Sequence, residues 1–248
     1  MSYAIQELPW TEVALRLQAR PRLIFPVGAL EQHGPHLPFG TNVIIAERIA
    51  SEVARRTGLL HAPVFSYGVT VGGGPFEGRS GLRRKTFHRA VNEILGRWED
   101  DGIAEFITIT AHRFEPHLES LLLTPALAAP NTVFDLYQID VSDIVESDPE
   151  FEHAGELETS LMLHLRPELV RLSEARDFTP SGGALRKYTR RRTPTPPRES
   201  RGVLGSPSRA NSVKGARIFE RWVDAISRAI GGDPDADEAV TNRRTARG

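Results

Sequence analysis

Runs of apolar residues that suit buried strands alternate with helical patterns along most of this chain. The runs Leu23–Val27, Ile103–Thr110 and Thr132–Gln138 are rich in Ile, Val, Phe and Thr, and Ala62–Tyr67 is a weaker candidate. Strands that alternate with helices usually pair in parallel, because each helix returns the chain to the same end of the sheet. The pattern therefore predicts an α/β fold with a mostly parallel sheet and helices on both faces.

Apolar residues at helical spacing mark the segments between and after these runs. The segment Val43–Arg55 is amphipathic and begins one loop after the first run. Three further stripes consist of Phe87, Val91, Ile94, Leu95 and Trp98, of Leu157, Leu161 and Leu165, and of Phe219, Trp222, Val223, Ile226 and Ile230. We interpret these three stripes as core packing, because an apolar stripe on a helix is normally buried against another element.

Length, charge and cysteine content exclude several classes of protein. The chain has 248 residues and a net charge of -1, so it can bury a sizeable core and has no global attraction to nucleic acid or anionic membranes. It has no cysteine, which excludes disulfides and thiolate metal ligands. It shows no signal peptide and no run of ~18 apolar residues that would span a membrane. We expect a cytoplasmic protein with a single domain over residues 1–230.

The loop after the first predicted strand carries a carboxylate and an imidazole two residues apart. It reads EQHGPHLPFGTN from Glu31 to Asn42 and leads into the amphipathic segment. In extended backbone Glu31 and His33 point to the same side, so they can reach one metal ion or one each of two neighbouring ions. A surface turn with incidental polar residues is the alternative. The position after a strand is one where ligands of α/β proteins bind, but so short a motif does not by itself decide between the two interpretations.

The longer string PVGALEQHGPHLPFGTN resembles the signature of the creatininase (creatinine amidohydrolase) family. Four further blocks resemble family segments and occur in the family's order: Phe76–Leu82, Ile107–His112, Glu152–Ser160 and Gly202–Pro207. The resemblance covers most of the chain. It implies a three-layer α/β/α sandwich with a mostly parallel central sheet, a metal-dependent amidohydrolase, and a homo-oligomer that is commonly a hexamer.

The resemblance also implies roles for individual side chains. The metal ligands would be Glu31, His33, Asn42 and His112. The catalytic groups would be His153, Glu152 and Glu158, with Glu158 also a candidate ligand and His153 protonating the leaving nitrogen. The implied cofactor is one or two divalent ions per chain, Zn, Mn or Fe. The resemblance gives no role to four other histidines, which we expect on the surface or behind the ligands: His36, His88, His117 and His164.

Several positions depart from the family pattern. Asn42 replaces the usual Asp, and an amide offers one neutral oxygen where a carboxylate offers two charged ones, so one metal or none becomes an alternative to two. The family's GGN after the strand is replaced by Arg113, Phe114 and Glu115, and Glu115 lies one residue later than the family's metal-binding Glu. We expect Arg113, Glu115 and Arg79 to contact substrate, with Arg113 suited to an anionic group or to replacing the charge of a metal.

Three functions fit these features. The first is metal-dependent hydrolysis of a C–N bond in a small amide, lactam or formamide by metal-activated water. The second is a biosynthetic enzyme of the same fold, with an altered or absent metal, that forms an amide or lactam or isomerises its substrate. The third is a non-catalytic family member that acts as a binding subunit. The retained ligand and catalytic residues favour the two enzymes, whereas Asn42 and Arg113 favour the last two functions.

Two segments lie outside the predicted core. Residues 186–201 are basic and rich in Pro and Thr, and we interpret them as a mobile surface loop. The alternative is a lid or arm that binds an anionic group of the substrate. Residues 231–248 are polar and charged, which predicts a disordered tail.

Overall fold

A parallel sheet of four strands forms the centre of the described chain. The computed structural model describes residues 2–70, 75–77, 80–123, 127–147, 152–179, 189–190 and 193–232. The strands are β1 (Arg22–Val27), β2 (Leu60–His61), β3 (Glu105–Thr110) and β4 (Asn131–Asp135). Their order is β2-β1-β3-β4, and all three neighbouring pairs are parallel. The predicted parallel sheet is confirmed.

Six α-helices of the described residues connect and cover these strands. They are α1 (Trp10–Ala19), α2 (Thr41–Thr57), α3 (Arg84–Asp100), α4 (Glu115–Leu122), α5 (Glu156–Leu165) and α6 (Ser212–Ile230). The predicted helical segments correspond to α2, α3, α5 and α6. Asn211 caps α6, since its side chain accepts a hydrogen bond from the Lys214 amide. Gly58 ends α2 with φ 73, a left-handed conformation that favours glycine.

The core lies on both faces of the sheet. On one face Ile24, Ile107 and Phe134 pack in a cluster with residues of α2, α5 and α6. On the other face Leu23 and Phe106 pack with residues of α1, α3 and α4. The three apolar stripes predicted as core packing belong to these clusters. This arrangement is the three-layer α/β/α sandwich that was predicted.

Two predicted strands differ from the observed elements. The weaker candidate Ala62–Tyr67 is wrong as a continuous strand: β2 ends at His61, and Phe65 forms only an isolated bridge with Val27. Pro63 explains the break, because proline has no amide proton to donate within a sheet. The run Thr132–Gln138 is a strand only as far as Asp135, after which Leu136–Gln138 forms a 3-10 turn capped by the Asp135 carboxylate.

The segments outside the predicted core are only partly described. Within 186–201 the backbone of Thr189–Arg190 (β5) pairs antiparallel with Thr193–Pro194 (β6), and Arg198–Ser200 forms a 3-10 turn. Residues 233–248, most of the predicted tail, lie outside the described residues. No helix in the described ranges is long and apolar enough to cross a membrane.

Close packing of β1 against α2 sets up the site. A Cβ on Gly28 would lie 2.7 Å from the Val43 Cα, so only glycine allows the end of β1 to approach the first turn of α2 this closely. Asn42, in that turn, thereby lies beside the loop that follows β1. Close backbone packing thus holds the loop and the start of α2 together without help from the side chains of the site.

Candidate metal centre

Six of the side chains predicted as ligands or catalytic groups meet at the carboxyl edge of the sheet. Two lie in the loop after β1, one starts α2, one follows β3, and two lie at the start of α5. They are Glu31, His33, Asn42, His112, His153 and Glu158. This is where the alternation of strands and helices predicts a ligand site.

His33 is held at both ring nitrogens. Its Nδ1 lies 3.1 Å from the Glu31 backbone oxygen and donates a proton to it, since a carbonyl oxygen can only accept. Its Nε2 then faces two oxygen acceptors, Asn42 Oδ1 at 3.1 Å and Glu158 Oε1 at 3.6 Å. Only a proton on Nε2 or a bound cation can lie among these atoms without repulsion.

His112 is oriented in the same manner. Its Nε2 donates to the Val69 backbone oxygen at 2.7 Å, which leaves Nδ1 facing Glu31 Oε1 at 3.1 Å. The buried His117 holds the Val69 backbone in place, because its Nδ1 accepts the Val69 amide proton at 3.2 Å. An imidazole that donates one nitrogen to a backbone carbonyl and presents the other is typical of a metal ligand.

Three side chains form a cluster that could hold a metal. Glu31, His33 and His153 each place one donor atom within 4.8 Å of the other two. The rings of His33 and His153 lie 4.6 Å apart. One carboxylate and two imidazoles, largely shielded from solvent, match the ligands that Zn, Mn and Fe accept. The donor set therefore fits a divalent cation.

Gln32 supports His153 at the edge of this cluster. The Gln32 backbone oxygen lies 2.9 Å from His153 Nε2, and Gln32 Nε2 lies 3.0 Å from the same atom. The Gln32 side-chain oxygen accepts the Gly34 amide, which orients its NH₂ group toward the ring. An acceptor and a donor thus both face Nε2, so this nitrogen finds a partner whether or not it carries a proton.

Mutual electrostatics set the charge states in the site. Burial alone would raise the pKa of Glu31, but His112, His153 and His33 outweigh it and lower the pKa to about 2. Burial would lower the pKa of His33, but the Glu158 carboxylate raises it to about 9. Burial and the charge of His33 lower the pKa of His153. Without a metal, a proton on His33 Nε2 faces the Asn42 and Glu158 oxygens.

The sequence and fold match one family of enzymes. The family model described as Creatininase, creatinine amidohydrolase, matches residues 6–230. The chain belongs to the creatininase family. It is 30% identical to the creatinine amidohydrolase of Pseudomonas putida, over 92% of this chain and 96% of the relative. The resemblance deduced from the sequence is confirmed.

Two further comparisons support the family assignment. The mycofactocin precursor peptide peptidase of Mycolicibacterium smegmatis is 28% identical over 85% of this chain and 84% of the relative. A solved structure described as creatininase Mn is 28% identical and superposes with a TM-score of 0.80, over 94% of this chain and 100% of that chain. Family membership supports a metal-dependent amide hydrolase.

Asn42 lies between His33 on one side and the pair Glu31 and His112 on the other. Its Oδ1 faces His33, and its Nδ2 donates to Glu31 Oε1 at 3.0 Å and lies 3.2 Å from His112 Nδ1. The opposite amide orientation would place two oxygens against each other at Glu31. The NH₂ group therefore links Glu31 to His112, and an NH₂ group cannot bind a metal.

Glu158 lies beside His33 and is held by two donors. The Ala154 amide donates to its Oε2 at 2.6 Å, and the Tyr137 hydroxyl donates to its Oε1. Burial would raise the pKa of Glu158, but His33 outweighs it and holds the pKa well below its ordinary value. Glu158 is therefore an oriented anion next to a candidate ligand.

Glu152 lies near the cluster, but its carboxylate binds backbone amides at the start of α5. The amides of Glu156 and Leu157 donate to its two oxygens at 2.6 and 3.0 Å, so it caps the first turn of α5. Burial raises its pKa to about 7 despite these hydrogen bonds. A Cβ on Gly155 would lie 2.4 Å from Glu152 Oε1, which shows how closely this cap is enclosed. Its position suggests a structural contribution alongside the predicted catalytic one.

The three predicted substrate-binding residues have different surroundings. Arg113 is 9% exposed, and its Cζ lies 4.2 Å above the centre of the Tyr137 ring. Glu115 begins α4, and its Oε2 is buried without a hydrogen-bond partner among the described residues. Arg79 lies outside the described residues. Of the three, Arg113 has a described connection to the cluster, through Tyr137 and Glu158.

Of the four histidines predicted to lie on the surface or behind the ligands, two are at least partly exposed and two are buried. His164 is exposed and His88 is half-buried on α3. His36 and His117 are buried behind the cluster, where His36 Nε2 lies 3.0 Å from the Thr159 hydroxyl. Burial lowers the pKa of His36 to about 4 and holds that of His117 well below its ordinary value. Both rings are therefore neutral supports at neutral pH.

Tyr137 and Gln32 contribute to the site but were not predicted from the sequence. Tyr137 lies in a segment that reads as a buried strand, and nothing in its neighbours distinguishes it from a core aromatic residue. Gln32 lies between two candidate ligands, and that adjacency was the available signal. Both act on ligands through hydrogen bonds that depend on the folded geometry.

Proposed function

We propose that this chain is a metal-dependent amidohydrolase that cleaves a C–N bond in a small amide, lactam or formamide. The observation that carries the proposal is the buried cluster of Glu31, His33 and His153, which fits one divalent cation. When bound, such a cation lowers the pKa of a water molecule toward ~7 and polarises a carbonyl oxygen. The relatives named as creatinine amidohydrolase and peptide peptidase support the class of reaction.

In this proposal Glu31 and His33 hold the cation, and His153, the third member of the cluster, supplies the proton transfer instead of binding the metal. Its lowered pKa leaves the ring neutral at neutral pH, so it can accept a proton from the attacking water. Gln32 accommodates either tautomer of His153, and the tautomer with its Nε2 proton on the Gln32 backbone oxygen leaves Nδ1 as the accepting atom. His153 then delivers that proton to the leaving nitrogen. Without this step an amide nitrogen would leave as a strongly basic anion.

Glu158 and Tyr137 orient the site rather than react. Glu158 lies 3.6 Å from His33 Nε2 and stabilises positive charge on that side of the cluster. The Tyr137 hydroxyl and the Ala154 amide fix the carboxylate, so the site needs little reorganisation during the reaction. We infer that these residues keep His33 in place through the catalytic cycle.

A metal-poor enzyme of the same fold is the second candidate, and Asn42 favours it. The NH₂ group of Asn42 donates to Glu31 Oε1 and, when His112 is neutral, also to its Nδ1, so it satisfies acceptors that a second cation would otherwise bind. Amide or lactam formation, or isomerisation, would then depend on Arg113 and His153. The assembled imidazoles and carboxylates favour either enzyme over a purely binding subunit.

Metal content separates these candidates. We expect tag-free protein to retain a divalent metal, measured by elemental mass spectrometry, and to hydrolyse a member of a panel of small amides, lactams and formamides. Glu31→Gln and His33→Ala should each lower metal occupancy by at least about tenfold and abolish turnover. His88→Ala is the matched control, since His88 lies on α3 away from the cluster and should leave both unchanged. Failure of the wild-type chain to take up any metal on reconstitution would favour the second candidate.

A further inference from the structure

Arg113 is a buried cation whose charge has no protein partner in the described chain. It is 9% exposed, and its Nη1 has no hydrogen-bond partner. No carboxylate of the described residues lies within ion-pair distance of it. Buried guanidinium groups are normally paired, because an unpaired one loses its hydration without compensation. The fold therefore maintains an unsatisfied cation at a defined place.

The carboxylates around Tyr137 are committed to other groups. Glu158 accepts the Tyr137 hydroxyl and the Ala154 amide. Asp135 accepts the Tyr137 amide at 3.2 Å and the Gln138 side chain at 3.3 Å. Among the contacts of the described residues, neither carboxylate forms a direct ion pair with Arg113.

The position of Arg113 connects it to the proposed reaction site. Arg113 directly follows His112, and its guanidinium stacks on the Tyr137 ring with Cζ 4.2 Å from the ring centre. The Tyr137 hydroxyl binds Glu158, which lies 3.6 Å from His33 Nε2. The ring covers part of the guanidinium, and the buried Nη1, which has no partner among the described residues, is left as a donor for a ligand. A planar carboxylate matches a guanidinium, because its two oxygens can accept parallel N–H donors.

We infer that Arg113 binds a carboxylate group carried by the substrate, so that the chain selects anionic amides or lactams over neutral ones. This inference rests on the proposed function for the reacting bond, but it concerns the other end of the substrate. Arg113 is then a specificity-determining residue, and the substrate has both a scissile C–N bond and a free carboxylate.

Two matched pairs of small molecules test the inference on the metal-loaded full chain. Acetate and acetamide have the same size and shape and differ by the replacement of one carboxylate oxygen with an NH₂ group, and 5-oxoproline differs from 2-pyrrolidinone by one carboxylate. We expect each anion to raise the thermal midpoint of the wild-type chain at constant ionic strength. Its affinity should exceed that of the neutral member by at least about tenfold. Arg113→Met should remove this preference, and Arg113→Lys should restore part of it.

Arg16 provides a matched control for the stacking. Its Cζ lies 5.0 Å from the Tyr3 ring centre, on a different part of the molecule. Arg16→Met should leave the preference for anions unchanged. If Arg113 only packed on Tyr137, Arg113→Met would lower the thermal midpoint as Arg16→Met does and keep any preference for anions. That result, or a wild-type chain that does not distinguish the paired molecules, would overturn the inference.

The binding readout keeps this inference separate from the proposed function. If the chain prefers the anions through Arg113 but hydrolyses no amide in the panel, the inference stands and the proposed function fails. If it hydrolyses neutral amides and Arg113→Met has no effect on binding, the proposed function stands and the inference fails.

Discussion

Asn42 determines how many cations the candidate centre can hold. Its oxygen faces His33, and its nitrogen faces Glu31 and His112. A carboxylate in this position would present one oxygen to His33 and the other to Glu31 and His112, and it could bridge two ions. The amide presents its oxygen to His33 and its NH₂ protons to Glu31 and His112, and these protons repel a cation. A site for one ion is the arrangement that these contacts favour.

Asn42→Asp should raise the number of bound metals per chain. The substitution replaces the donor facing Glu31 and His112 with a charged acceptor, which removes a barrier to a second ion and adds a ligand for it. We expect stoichiometry to rise from about one toward two under the same reconstitution. Asn42→Ala is the control, because it removes the NH₂ group without adding charge. An unchanged stoichiometry in Asn42→Asp would show that the second position is blocked by other residues.

The pKa of His33 predicts how metal affinity depends on pH. The pKa is raised from 6.5 to about 9, so the metal-free protein holds a proton on His33 until the pH rises through that value. Metal binding must release this proton, so affinity should increase by about tenfold per pH unit below 9 and then level off. Calorimetric metal titrations at several pH values measure this slope.

Glu158→Gln is the control for the pH dependence. Without the carboxylate, burial would dominate and lower the pKa of His33, so the rise in affinity should move to lower pH. A metal affinity that does not change between neutral pH and pH 9 in the wild-type chain would contradict the assigned charge state.

Sequence motifs predicted the candidate ligands but not the groups that orient the site. Glu31, His33 and His112 were proposed because they follow strands and match the family signature. Tyr137 orients Glu158 through its hydroxyl, and Val69 orients His112 through its backbone oxygen. A backbone oxygen is available at every residue, so its role cannot be recognised before the fold brings it to a histidine.

At the scale of elements, the packing of α6 on α5 supports the side of the site that carries Glu158. Gly215 in α6 lies against the backbone of α5, where an added Cβ would be 1.9 Å from the Ser160 oxygen. A buried ion pair between Lys214 and Glu156 joins the same helices, with Nζ 2.5 Å from Oε1. Any change that separates α6 from α5 should therefore move Glu158 relative to His33.

Gly215→Ala should destabilise the protein by about 1–3 kcal/mol or more, because the new methyl group would overlap backbone atoms that cannot move alone. Gly96→Ala is the matched control, since the same substitution within α3 would meet only Leu127 Cδ2 at 4.0 Å. That variant should be more stable than wild type by about 0.5–1 kcal/mol, because alanine favours helix. Chemical denaturation compares the two, and equal stabilities would contradict this account of the helix contact.

Hydrophobic patterns predicted elements well where the pattern was long and poorly where it was short. The stripes of α3 and α6 extend over several turns and identified both helices. Ala62–Tyr67 failed because one proline interrupts it, and α4 was not predicted because its eight residues give too few repeats. Strand order was also beyond prediction, since β1 pairs with both β2 and β3 through contacts that only the tertiary fold specifies.

At the scale of the whole molecule, the candidate centre joins segments that are far apart in the chain. Glu31 and His33 belong to the first sheet connection, whereas His153 precedes α5. A metal held by Glu31 and His33 beside His153 has all three neighbours only in the folded state, because the unfolded chain does not bring them together. Metal binding should therefore stabilise the entire fold and not only the loops that carry the ligands.

Metal removal should lower the thermal midpoint of the wild-type chain. A ligand present at a hundredfold excess over its dissociation constant stabilises the folded state by about 2.7 kcal/mol. For a chain of this size each kcal/mol corresponds to roughly 2–4 °C, so chelation should lower the midpoint by about 5–10 °C. Glu31→Gln should show the lower midpoint with and without added metal, because it lacks the carboxylate of the cluster. An equal response to metal in Glu31→Gln and wild type would place the stabilising ion elsewhere in the molecule.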